Sequence, residues 1–92
     1  MKHEDVYVVA ESVVARDLGD EIVLLDLAGG VYFGLNEVGA KVWSGLERNL
    51  PLSEICASLI DEYSVERSVI EADVDELIKK LLEKELITVS KN

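Results

Sequence analysis

The feature that most constrains this chain is a change of hydrophobic period near residue 35. Before it, apolar residues come in short β-branched runs; after it, they recur at helical spacing. Strands therefore come first and helices second. With 92 residues there is room for one core only, so the reading is a single domain over residues 1–92. Residues 12–18 and 21–27 read as strands joined through Gly19-Asp20. The second strand meets Gly29-Gly30, whose positive φ angles would suit a two-residue hairpin loop, so residues 31–34 should return antiparallel and complete a three-stranded meander. Residues 6–9 are also strand-like, but short, and their partner is left open.

In the second half, Asn36 is a good helix N-cap with Glu37 in the first turn, and Val38, Val42, Trp43 and Leu46 form one stripe. Pro51 opens a second helix through Ile55, Leu59 and Ile60 that ends around Tyr63. Ser64 or Ser68 can cap a third, Ser68 with Glu71 matching the capping-box pattern. Its apolar face comprises Ile70, Val74, Leu77, Ile78, Leu81 and Leu82. Residues 86–89 make a β-like tail that should pack back on the body. The fold class expected is α+β, winged helix-turn-helix-like: a three-stranded antiparallel meander followed by three helices.

Charge and composition narrow the function. Nine Lys and Arg stand against 19 Asp and Glu, a net charge of −10, the wrong sign for holding a phosphate backbone. Glu71, Asp73, Asp75 and Glu76 lie on the helix that a winged-helix regulator would offer to DNA, where they would repel it. The helix dipole alone would account for such acids and is the preferred reading, with contacts to a basic partner as the alternative. Cys56 is single and reads as a small buried hydrophobe in a reducing compartment; His3 has no ligand cluster around it and receives no role. No stretch resembles a signal-peptide core or a membrane span, so a cytoplasmic protein without a membrane partner is expected. No nucleophile with a base, carboxylate pair, phosphate loop or metal cluster appears, so the chain is expected to be no enzyme and to need no cofactor.

The sheet edges carry the strongest hint of function. A meander has its first and third strands at the edges, and proteins guard such edges with charge or Pro. The first strand carries Arg16 and Asp17, whereas residues 31–35 have neither charge nor Pro. Either the third helix or the tail covers that edge, or it stays open to receive an extended peptide by β-augmentation.

The residues that bear on this choice also carry a resemblance. The chain reads Gly30-Val31-Tyr32-Phe33-Gly34-Leu35-Asn36-Glu37, then an apolar helix with Trp43. Glu54-Ile55 and Leu59 follow before Tyr63, then Asp73-Val74 with Leu77 and Leu81, and a closing Leu86-Ile87. In order and spacing this resembles the PqqD-like domains, the recognition elements for precursor peptides of ribosomally made natural products, most closely over residues 22–88. The resemblance implies a non-catalytic domain that binds the leader segment of a precursor as an added strand beside its third strand, in a groove against its third helix. The leader is then presented to a processing enzyme. Carried over residue by residue, the strand wall falls on Val31, Tyr32, Phe33 and Gly34. The helix wall falls on Asp73, Val74, Leu77, Lys80 and Leu81, with Glu76 added as a peptide-binding candidate. Val31, Phe33 and Leu35 share one face of a strand and Tyr32 the other, so one set must be core; Leu77 and Leu81 carry the same ambiguity.

Residues 35–40 followed by Trp43 look more like the stand-alone domains of lasso-peptide pathways, whose partner is a separate leader peptidase. The alternative is the pyrroloquinoline quinone branch, where the partner is a radical enzyme. Pro51 departs from the Ser or Thr cap usual in relatives, a change expected to touch the turn rather than the groove. Gly39 inside the first helix suggests close backbone packing. Two readings from other classes compete: a winged-helix regulator, disfavoured by charge, and a weak homodimer that pairs its own third strands.

Overall fold

The computed structural model describes residues 5–19 and 21–90; His3 and Asp20 of the sequence reading lie outside them. The elements follow in the order β1 (Tyr7–Val9), β2 (Val13–Asp17), β3 (Ile22–Asp26), β4 (Val31–Leu35), α1 (Glu37–Glu47), α2 (Leu52–Tyr63), α3 (Arg67–Glu83) and β5 (Ile87–Val89). β2, β3 and β4 form the expected antiparallel meander, in that spatial order, and β1 pairs with β5 in a second, two-stranded sheet. The architecture is thus α+β, a three-stranded sheet followed by three helices, and β4 is the third strand of the meander anticipated from sequence.

The two hairpins close differently. Between β2 and β3 the Leu18 N–H donates to the Glu21 carbonyl at 2.8 Å, with Gly19 at φ 97°. Between β3 and β4 the connection is longer than the two-residue loop expected from Gly29-Gly30. Leu27 to Gly30 form the turn, Gly30 alone has positive φ (70°), and its N–H donates to the Asp26 carbonyl at 2.8 Å. The reason is Asp26. Its carboxylate accepts from Ser12 Oγ at 2.7 Å and from the Ala28 N–H at 3.1 Å, an Asx-type arrangement that folds the chain immediately after β3.

Asn36 caps α1 as expected, its side chain accepting from the Gly39 N–H at 2.8 Å. A Cβ on Gly39 would lie 3.2 Å from the Leu35 side chain, the close approach that the glycine suggests. Pro51 takes the N-cap position of α2 with no side-chain cap, and its carbonyl accepts from Glu54 and Ile55. Neither serine caps α3. Ser64 instead ends α2 in the left-handed region (φ 54°), and Glu66 takes the cap position, so Ser68 already lies inside the helix. Val65 and Ile70 then stand at the two positions of a hydrophobic staple, a device that sets how the chain joins the helix.

One cluster of buried residues ties the layers together. Trp43, Val42 and Leu46 of α1, Leu52, Ile55 and Leu59 of α2, and Ile70, Val74, Ile78 and Leu81 of α3 pack with Leu24 and Leu35 of the sheet. Tyr7 and Ile87 of the small sheet, and Leu86 just before β5, join the same cluster. The tail expected to pack back on the body does so by pairing with β1, Tyr7 opposite Val89 and Val9 opposite Ile87. Among the described residues no helix is long and apolar enough to cross a membrane.

Candidate functional site: the open edge of β4 and its groove

Among the described residues β4 pairs on one side only, with β3, and the tail is engaged with β1 in the other sheet. The register identifies which of its main-chain groups are spoken for. The Leu18 N–H to Glu21 carbonyl and Leu27 N–H to Ser12 carbonyl bonds share the β2–β3 register, so residues 23 and 25 turn their polar groups toward β2. Residues 22, 24 and 26 therefore serve β4, through their partners Leu35, Phe33 and Val31. Tyr32 and Gly34 are left with N–H and C=O directed outward, a row of donors and acceptors for an added strand.

Side chains alternate in the orthogonal direction. Val31, Phe33 and Leu35 turn toward the helices, with Leu35 fully in the core and the other two half-buried, while Tyr32 is 68% exposed on the outer face. That resolves the strand ambiguity: the inward set is only partly core, and Phe33 remains accessible from the edge.

Beyond the edge, a groove of about 580 Å³ separates β4 from α3. Its floor and sheet wall come from Phe33, Gly34, Leu35, Val38 and Gly39, and its far wall from Val69, Ile70, Asp73, Glu76, Leu77 and Lys80. Tyr63 and Val65, at the α2–α3 junction, also line it. The Tyr63 hydroxyl donates to Glu37 at 2.6 Å, tying the end of α2 to the start of α1, and this hydrogen bond holds the phenol above its ordinary pKa. Lys41 lies over the Tyr63 ring, 5.5 Å from its centre, and is hydrogen-bonded to Glu62, a partnership that raises the ammonium's pKa.

Of the residues singled out from sequence, Phe33, Gly34, Asp73, Glu76, Leu77 and Lys80 line this groove together. Val74 (1% exposed) and Leu81 (0%) do not: they face the core with Ile70 and Ile78. α3 carries two adjacent stripes, 70-74-78-81 inward and 69-73-77-80 toward the groove, and the broad apolar face read from sequence merged them. Leu82, counted on that face, is exposed. Val31 and Tyr32 flank the groove rather than line it. Sequence reasoning missed Val38, Tyr63, Val65 and Val69; the signal was available for Val69, which stands four residues before Asp73 on the same stripe and is half exposed.

The lining sets the apolar side chains of Phe33, Val38, Val69 and Leu77 beside the charged Asp73, Glu76 and Lys80. Among the described residues no group of three or more His, Cys, Asp or Glu is placed to hold a metal ion. Cys56 is buried, and desolvation pushes its thiol pKa up, away from the reactive thiolate.

The fold and the groove define an α+β, winged-helix-like domain with an unprotected strand edge set against a helix. The chain belongs to the PqqD family: the family model described as Coenzyme PQQ synthesis protein D (PqqD) matches residues 21–87. Among solved structures it is similar to TbiB1 in complex with the TbiA(beta) leader peptide, at 38% sequence identity. That match covers 92% of this chain and 99% of the other, with a TM-score of 0.84. No curated protein matches the chain.

Proposed function

We propose that this protein binds the leader segment of a ribosomally made precursor peptide as a strand added to β4 and delivers it to a processing enzyme, without catalysing a reaction itself. The observation that carries the reading is the uncharged, unpaired edge of β4 lying open beside an apolar groove. The solved relative whose structure holds a leader peptide supports it. In this reading Tyr32 and Gly34 supply main-chain hydrogen bonds, and Phe33 and Leu77, with Val69, receive apolar side chains from alternate positions of the added strand. Asp73, Glu76 and Lys80 form a polar rim, and Val31 flanks the strand's end. Val74 and Leu81 hold α3 in place from the core rather than touching peptide. The enzyme served is a lasso-peptide leader peptidase, in keeping with the lasso-like residues 35–40 and Trp43, and both work in the cytoplasm.

The test is a fluorescence-polarisation titration of the full chain against labelled leader and core segments of the precursor encoded beside its gene, with a scrambled leader as control. Saturable binding of the leader alone is the expected result. Phe33→Ala or Leu77→Ala should weaken it by about 1–3 kcal/mol while circular dichroism stays unchanged. Equal binding of leader and scrambled control would refute the reading. A homodimer through two β4 edges would use the same groups, so leader peptide should dissociate any dimer that sedimentation detects.

A further inference from the structure

The groove is electrically polar from end to end. Of the charged α3 residues that line it, Asp73 and Glu76 come first and Lys80 last. Lys84, at the C-cap of α3, places its ammonium 5.8 Å from the centre of the Phe33 ring. Lys80 is pinned to Glu76 at 3.5 Å, whereas Lys84 forms no ion pair among the described residues. In a chain of net charge −10, Lys80, which lines the groove, and Lys84, which lies against the half-buried Phe33 ring at the groove's margin, bring two cations to the C-terminal end of α3.

Resting on the function proposed above, we infer that this end of the groove is a carboxylate subsite: the bound segment carries an Asp or Glu side chain that sits between Lys80 and Lys84, over the edge of Phe33. Lys84 is the stronger contact, because its charge is not shared with Glu76. The ring also holds the ammonium close to the strand, so a carboxylate meets it with less ordering cost. At the other end, Asp73 and Glu76 disfavour an acid and suit a basic residue. Asp73 and Lys84 lie about 16 Å apart at the rise of a helix, and an extended strand covers that in about five residues. The pattern sought in the partner is therefore an acidic residue about five positions from a basic or neutral one, with apolar side chains between.

The experiment pairs two proteins with three peptides at low salt: the wild-type chain and Lys80→Glu/Lys84→Glu, against the synthetic native leader, its form with each Asp and Glu amidated to Asn and Gln, and its form with those acids changed to Lys. Amidation should weaken wild-type binding about five-fold, a loss that shrinks at high salt. The double variant should lose about as much with the native leader, show no further loss on amidation, and recover affinity for the Lys peptide. Wild-type binding of the native leader that neither amidation nor charge reversal changes would overturn the subsite and leave leader binding standing. Failure of the wild-type chain to bind the native leader would remove both.

Discussion

At the residue scale, two glycines of α1 show how closely the sequence is matched to its neighbours. Gly39 admits Leu35, and Gly45 admits Ile55: a Cβ on Gly45 would come within 2.7 Å of Ile55 Cγ1. Replacing Gly45 by Ala gains helix propensity of about 1 kcal/mol but overpacks the α1–α2 contact at a cost of about 1–3 kcal/mol. Gly45→Ala should therefore lower the thermal midpoint, which differential scanning calorimetry would register; a raised midpoint would mean that Ile55 moves aside freely. The caps divide at this same scale. Asn36 was legible because its own side chain closes the helix, a local event. Ser68 was misleading because the start of α3 follows the turn at Ser64 and the Val65–Ile70 pair rather than the hydroxyl that best fits a motif.

At the scale of elements, the β3–β4 hairpin positions the edge, and Asp26 organizes the hairpin. The hydrogen bond from Ser12 holds the Asp26 carboxyl below its ordinary pKa, helped by main-chain donors in the turn. A carboxylate whose folded pKa is depressed stabilises the fold above its unfolded pKa, and that contribution is lost as pH falls through the folded value. The gap in thermal midpoint between wild type and Asp26→Ala should accordingly narrow as pH is lowered from about 5 to about 2. A constant gap would show that the charge contributes nothing. β4 itself offers a cleaner separation of fold from function. The N–H of Gly34 points away from β3, so Pro there spares the ladder, as edge positions allow. Gly34→Pro should keep the circular dichroism of the wild type yet weaken leader binding about ten-fold, by removing one donor and crowding the edge. Unchanged affinity would place the peptide elsewhere.

For the molecule as a whole, the meander, the three helices and their order were readable because each rests on local periodicity. The state of the β4 edge was not, because it depends on where residues 87–89 go. They pair with residues 7–9, a contact between the two ends of the chain that no local pattern announces. With the tail engaged there, β4 is an edge strand among the described residues. The two stripes of α3 were likewise merged until the sheet defined which side was inside. Net charge acts only at this scale: at −10 the chain should show no retention on DNA even at low salt, and measurable retention would reopen the winged-helix regulator.

Addition of the peptide as a strand to the outer edge of β4 can be read residue by residue from amide hydrogen exchange in the full chain, with and without the leader peptide. The N–H groups of Tyr32 and Gly34 should exchange fast in the free protein and become protected when leader is added, while those of Val31, Phe33 and Leu35 are slow in both. Leader-induced protection that bypasses Tyr32 and Gly34 would mean that the peptide does not add to this edge.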